Sequence, residues 1–167
     1  MSVMTTVYRL TEPEAAQFMD APRAVARELI YGEDGWSRPG LVFIKWLALD
    51  KHGGGVDLAL SGGQSVRPLS FLSDEEFGDE TLFEFPYGPG RVFYPETVVE
   101  LAAALSAVSP LQVRARLTLE RLVQIYPFTL RKPGPEDVQM LEERVAELRD
   151  FIDAAAKARE CLMVAVD

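Results

Sequence analysis

The most regular alternation of apolar and polar positions lies near the C-terminal end of the chain. From residue 138 onward, positions recur at spacings of three and four, the repeat of an amphipathic helix. The positions that follow this spacing are Val138, Leu141, Val145, Leu148, Ile152, Ala155 and Arg159. The turn Lys132-Pro133-Gly134-Pro135 precedes them and predicts a helix with proline in its first turn. We expect this stripe to pack on the core; a coiled-coil partner is the alternative.

Two capping boxes mark the starts of other helices. Thr11 with Glu14, and Ser109 with Gln112, place a hydroxyl before the first turn and a carboxylate or amide three residues later. Proline at position 95 starts another helix, because its fixed φ and missing N–H suit the first turn. The helices predicted in this way span residues 12–19, 22–30, 95–108 and 110–125.

Short β-prone segments lie at both ends of the chain. Residues 3–10 alternate β-branched or aromatic residues with polar ones, and residues 161–166 are apolar. Each segment is too short to be stable alone, so we predict that they pair within one sheet. Residues 81–85 form a further predicted strand.

The middle of the chain is harder to interpret. Residues 41–50 are apolar almost throughout, and periodicity cannot distinguish a buried helix from a buried strand in such a run. We favour a helix because the run is long for a strand. Residues 31–40 and 51–68 are rich in glycine and predict loops, the second with one turn of helix at 56–60.

Prolines and glycines dominate the segment Pro86-Tyr87-Gly88-Pro89-Gly90, which predicts a rigid loop leading into the helix at residue 95. Its aromatic and basic side chains suggest a ligand pocket. The candidate ligand-binding residues are Trp46, Tyr87, Arg91, Tyr94 and Tyr126. The alternative, which we favour, is that the aromatic rings pack on the core and the loop only changes the direction of the chain.

Several of these segments together resemble the YfbM-like family of bacterial proteins (domain of unknown function 1877). The resemblance is strongest from Tyr87-Gly88-Pro89 to Ile125-Tyr126-Pro127, and it continues through the end of the long helix. Gly62-Gly63 resembles a recurring Gly-Gly pair of the family, whereas Lys45 and Trp46 are adjacent where the family tends to have Lys-x-Trp. The resemblance implies one domain over residues 1–167 and provides no catalytic residue.

Composition and charge narrow the class of function. With 48% hydrophobic and 26% charged residues, the chain has an ordinary globular composition, and one cysteine cannot form an intramolecular disulfide. We expect a cytoplasmic protein with no signal peptide and no membrane span. The net charge of −9 argues against nucleic-acid binding. It favours a basic protein partner, or it serves solubility alone.

Catalytic and metal-binding motifs are weak. His52-Gly53-Gly54-Gly55 has the form of an oxyanion loop, but a serine triad needs a histidine after the serine, and His52 is the only histidine. We therefore expect His52 to end a helix, with Gly53 as the left-handed cap. One histidine and one cysteine do not make a zinc site, and Cys161 should be buried and inert. We predict no cofactor and no metal.

The sequence thus predicts an α+β fold, in which a small antiparallel sheet containing both terminal strands packs against several helices. The first functional hypothesis is a non-catalytic interaction protein that binds or neutralises a basic partner. Its candidate contact residues are the acids Asp74, Glu75, Glu76, Asp79 and Glu80. The second hypothesis is an enzyme or small-ligand-binding protein that uses the pocket beside residues 87–94. The oligomeric state stays open.

Overall fold

The chain is organised around an open antiparallel sheet. The computed structural model describes residues 4–20, 45–85, 88–125 and 128–166. The strands within these residues are β1 (Thr5–Leu10), β2 (Lys45–Asp50), β3 (Glu80–Phe85), β4 (Gly88–Phe93) and β5 (Cys161–Val166). Their order across the sheet is β2-β1-β5-β4-β3, and all neighbours are antiparallel. β1 and β5 pair along their whole length, which confirms the predicted pairing of the terminal strands.

Helices provide most of the regular structure. In chain order, the α-helices of the described residues are α1 (Glu12–Asp20), α2 (Gly53–Ser61), α3 (Pro95–Ala107), α4 (Pro110–Arg116), α5 (Leu119–Leu122) and α6 (Pro135–Ala158). One 3-10 turn, Phe128–Leu130, precedes α6. Since α6 alone has 24 residues and each strand has six, the predicted helix-rich α+β class is confirmed. No helix of these ranges is by itself long and apolar enough to cross a membrane; α3 and α4 pass that test only as a pair bent by 81°.

The predicted caps form as expected. The Thr11 N–H donates to Glu14 Oε2 at 2.6 Å, and the Glu14 N–H donates to Thr11 Oγ1 at 3.3 Å. At the start of α4, the Ser109 N–H donates to Gln112 Oε1 at 2.8 Å, and the Gln112 N–H donates back to Ser109 Oγ at 3.2 Å. Two of the helix starts are therefore fixed by local sequence alone.

The stripe of α6 packs on the core. Its buried members are Leu141, Val145, Leu148, Ile152 and Ala155, and they join buried strand residues such as Val7, Phe93, Leu162 and Val164. This confirms the core assignment over the coiled-coil alternative. Arg159 does not belong to the stripe: it is the C-cap of α6, in the left-handed conformation at φ 56°.

Residues 45–50 form strand β2, so the prediction of a helix there was wrong. β2 pairs antiparallel with β1, with Trp46 opposite Tyr8. The backbone hydrogen bonds of this apolar run are made to a strand 40 residues away, and no local pattern reveals that partner. Residues 41–44, together with the predicted helix at 22–30 and loop at 31–40, lie outside the described residues.

The predicted loop before Pro95 is also wrong, because residues 88–93 form strand β4. β4 pairs with β3 between Gly88 and Val92, with one irregularity, but β5 pairs with it only from Arg91 onward. Gly88 to Gly90 therefore have a sheet neighbour on one side only, which is where proline is tolerated in a sheet. The register of β3 and β4 shifts between Thr81 and Glu84, so the Pro/Gly segment is accommodated by an irregular ladder.

Two helix predictions also need correction. Residues 110–125 form two helices rather than one: the Thr118 hydroxyl accepts from the Arg121 N–H and starts α5 anew.

α2 is nine residues long, where we predicted a glycine loop with a single turn, and His52 precedes this helix instead of ending one. Its glycines allow close packing: a Cβ on Gly53 would lie 2.2 Å from Thr5 Oγ1, and one on Gly55 would lie 2.7 Å from Leu141 Cδ2.

The N-terminus of α3 is capped by a side chain from outside the helix. Its N-cap residue, Tyr94, makes no side-chain cap. Instead, Asp79 Oδ2 accepts from the Tyr94 N–H at 2.6 Å, and Asp79 Oδ1 accepts from Thr97 Oγ1 at 2.9 Å. Asp79 thus fixes the passage from β4 into α3, and its charge is placed favourably at the helix N-terminus.

Replacing Leu148 by alanine should lower the free energy of unfolding by about 2–5 kcal/mol, because the side chain is fully buried beneath the sheet. Urea unfolding followed by circular dichroism measures this difference. A matched Glu147→Ala change on the exposed face of α6 should cost less than about 0.5 kcal/mol. Equal effects of the two changes would contradict the packing of α6 described above.

Asp79→Ala should lower the free energy of unfolding by about 1 kcal/mol, the usual loss for a helix cap. The side chain of its neighbour Glu80 is exposed and makes no hydrogen bond or ion pair in the described structure, so Glu80→Ala is the control. Thermal unfolding of the two variants compares them directly. If Glu80→Ala costs as much as Asp79→Ala, the cap does not contribute to stability.

Candidate functional site: an acidic cavity beside Gly62-Gly63

A tight turn after α2 opens a polar cavity. Gly62 and Gly63 both have left-handed backbones, at φ 71° and 75°, and the Gly62 N–H donates to Leu58 O at 2.9 Å. This turn sends the chain back past the end of its own helix. The resulting cavity, which we call the acidic cavity, has a volume of about 450 Å³. Its lining residues are Asp57, Gly63, Gln64, Ser65, Ser73, Asp74, Glu75 and Glu76.

Asp57 projects from α2 into the wall of the acidic cavity. Its Oδ1 accepts from Ser73 Oγ at 2.9 Å and its Oδ2 from Ser61 Oγ at 3.3 Å. Within the described residues, no lysine or arginine lies within ion-pair distance of this carboxylate. Burial raises the pKa of Asp57; the two serine hydrogen bonds and the charge of Arg91 act in the opposite direction.

Arg91 holds the loop that forms the far wall of the cavity. Its side chain is 1% exposed, and its guanidinium donates to Phe71 O at 2.8 Å, Leu72 O at 3.0 Å and Asp74 O. Burial lowers the pKa of Arg91, and the nearby charges of Glu75, Asp74 and Asp57 oppose that effect. Arg91 therefore supports the cavity from behind and does not face a ligand.

The five acids that we predicted as partner contacts have different environments. Asp74 accepts from Arg67 Nε at 2.7 Å, and this bond holds the pKa of Asp74 below its usual range. Asp79 caps α3, as described above. Glu75, Glu76 and Glu80 are exposed and make no ion pair within the described structure. The three glutamates are therefore solvated, whereas the side chain of Asp74 is only 10% exposed.

Two residues of the predicted aromatic pocket, Trp46 and Arg91, do not come together in the described structure. Trp46 on β2 and Arg91 on β4 are separated by β1 and β5, and their registers place them on opposite faces of the sheet. The Tyr94 hydroxyl contacts Met19 Sδ at 3.6 Å. Tyr87 and Tyr126 lie outside the described residues.

His52 and Cys161 lie apart from the acidic cavity. The His52 ring packs 6.4 Å from that of Phe128, and burial, with Lys51 and Arg144 nearby, lowers the pKa of His52. Cys161 is buried, as predicted, and burial raises the pKa of its thiol to about 11. The part of the chain that the structure describes contains no cluster of three or more His, Cys, Asp or Glu side chains able to hold a metal ion.

Sequence reasoning missed the residues at the centre of this cavity. Asp57 and Ser61 are four positions apart, which brings them together only on a helix, and we predicted mostly loop there. Ser73 reaches Asp57 from a loop 16 residues later in the chain. The Gly62-Gly63 pair was the one local signal of a sharp turn at this place.

Comparison with known proteins identifies the fold and the family. The chain superposes on the crystal structure of YfbM, a protein of unknown function from Escherichia coli, with a TM-score of 0.71 and 12% sequence identity. The match covers 98% of this chain and 99% of the other. None of the curated proteins matches the chain. The family model for the domain of unknown function DUF1877 matches residues 1–165, and the chain therefore belongs to that family.

Proposed function

We propose that this chain is a non-catalytic binding protein that docks a basic partner protein at the acidic cavity. A lysine or arginine side chain of the partner would enter the cavity and approach Asp57. The exposed carboxylates of Glu75 and Glu76 at the same cavity would attract the partner over longer range. A net charge of −9 supports the same choice of partner.

The main support for this proposal is the environment of the Asp57 carboxylate. Its carboxylate borders a cavity of about 450 Å³, and within the described residues it is held by two hydroxyl groups and by no ion pair. A cationic group bound there would make charge-assisted hydrogen bonds, which are stronger than the neutral ones it replaces. The hydroxyls of Ser65 and Ser73 and the amide of Gln64 offer further acceptors.

The alternative function, ligand binding beside residues 87–94, has less support. It needs Arg91 to face a ligand, whereas this guanidinium is buried and bonded to three carbonyl oxygens. It also needs Trp46 on the same side of the sheet as Arg91. The acidic cavity instead combines the carboxylates of Asp57, Glu75 and Glu76, which make no ion pair within the described structure, with space for a side chain.

The binding test uses a lysine-rich peptide as the probe, with affinity measured by calorimetry and contacts mapped by NMR. Asp57→Asn should weaken binding about tenfold or more, because a hydrogen bond to a charged group contributes about 1.5–3 kcal/mol. The double variant Glu75→Gln with Glu76→Gln should also bind the peptide more weakly. Added salt should reduce the difference in affinity between this variant and the parent.

The matched control is the double variant Glu100→Gln with Glu120→Gln, which removes two exposed acids on α3 and α5. It changes the net charge by the same amount as Glu75→Gln with Glu76→Gln. It should leave the affinity nearly unchanged. If the control weakens binding as much as the cavity variants do, the attraction is a property of the whole surface. NMR shifts confined to regions other than residues 57–76 would also contradict the proposal.

Asp57→Asn should not lower the melting temperature at neutral pH. The folded state raises the pKa of Asp57, so the protonated form stabilises the fold at low pH, and that contribution is lost as the pH rises through the folded-state pKa. The asparagine side chain stays neutral, so the variant does not lose this stability as the pH rises. At pH 7 it should be at least as stable as the parent. A clear drop in melting temperature would mean that Asp57 serves the fold as a counter-charge to Arg91.

A further inference from the structure

A second depression, independent of the acidic cavity, lies between α4 and α6. Its volume is about 380 Å³. The floor is formed by the buried side chains of Val113 and Val145, and Leu111 stands at the rim with 80% of its surface exposed. The groove thus offers an apolar surface that the described structure leaves uncovered.

Arg149 lines this groove without an acidic partner. Its Nη2 donates to Val108 O, and its Nε is buried without a hydrogen-bond partner in the described structure. Burial lowers the pKa of Arg149, and no neighbouring carboxylate counteracts this effect. By contrast, Arg114 pairs with Glu142 and Arg144 pairs with Glu147. Within the described structure, Arg149 is therefore a groove-lining cation that no carboxylate neutralises.

The Arg114–Glu142 ion pair marks the limit of the groove. Both residues also line the neighbouring hollow of about 390 Å³ beside Leu119 and Val138, so the pair stands between the two depressions. This pair, whose Nε–Oε1 distance is 2.7 Å, divides the two depressions, so the groove on the Arg149 side is a short site and not part of one long channel. A small molecule confined to the Arg149 side leaves the ion pair intact, and about 380 Å³ is within the size range of small-ligand sites.

We propose that this groove binds a small amphiphilic carboxylic acid. The carboxylate pairs with the guanidinium of Arg149, and the aliphatic body lies on Leu111, Val145 and Ala146. Arg114 and Glu142 neutralise each other, so Arg149 is the cation that orients the carboxylate, and the apolar end of the ligand points away from Arg149. A planar guanidinium suits this role, since it donates two parallel hydrogen bonds to a carboxylate.

The test uses sodium octanoate, with the neutral isostere octanamide and the cation octylamine for comparison. Octanoate should bind saturably, with NMR shifts confined to residues of α4 and α6 around Leu111 and Ala146. Octanamide should bind at least about tenfold more weakly, since charge-assisted bonds are roughly twice as strong as neutral ones. Octylamine should not bind. Failure of octanoate to bind saturably would overturn the proposal.

Two groove variants, Arg149→Gln and Ala146→Phe, keep the test decisive if one of them disturbs the fold. Arg149→Gln should abolish octanoate binding, whereas Arg149→Lys should retain part of it, and Arg144→Gln on the same helix should have no effect. Because Arg149 also donates to Val108 O, the second variant, Ala146→Phe, fills the groove and leaves the arginine in place. It should abolish binding as well.

Unchanged octanoate affinity in Arg149→Gln or Ala146→Phe would overturn the proposal. Binding of a peptide with an apolar C-terminal residue, without any binding of octanoate, would also overturn it and would indicate a protein partner. Variants at Asp57 and Glu75 should leave octanoate binding unaffected, so the outcome does not depend on the acidic cavity.

Discussion

The buried guanidinium of Arg91 connects the sheet to the loop that builds the acidic cavity. Removing an arginine from water is costly, and the cost is offset here by three backbone carbonyl oxygens and by the charges of nearby acids. The same loop is held against the sheet by ring contacts: Phe71 and Phe77 lie 6.2 and 5.3 Å from Phe93, both nearly edge-on. Ser73 reaches Asp57 only because this loop is fixed.

Arginine has a recurring role in this molecule as a donor to backbone carbonyls. Arg116 donates to Ala59 O and Leu60 O, and Arg121 donates to Gly62 O, so two cations satisfy the C-terminal end of α2. Arg91 and Arg149 act in the same way elsewhere. Four arginines are thereby directed to backbone carbonyl oxygens.

The two proposed sites differ in their physical basis. In the acidic cavity, four carboxylates line a polar space and only that of Asp74 is ion-paired within the described structure, so recognition would depend on charge and on salt. In the groove between α4 and α6, one arginine stands among apolar side chains, and recognition would depend mainly on the burial of a hydrocarbon body. Because the acidic cavity would bind a cation and the groove would bind an anion, each site can be tested without interference from the other.

Elements whose signals are local could be predicted from the amino-acid sequence. The α6 stripe, the caps at Thr11 and Ser109, and the short terminal strands could all be read from neighbouring residues, and the family resemblance agreed with them. Residues 88–90 pair with the neighbouring β3, but their proline and glycines disfavour a strand in the local sequence. Residues 45–50 and 91–93 are strands because β1 and β5 pair with them, and those partners are distant in sequence. The same reason explains the candidate site. Asp57, Ser73 and Arg91 meet through contacts between separate segments, and Asp79 became a helix cap because the fold brought it to Tyr94.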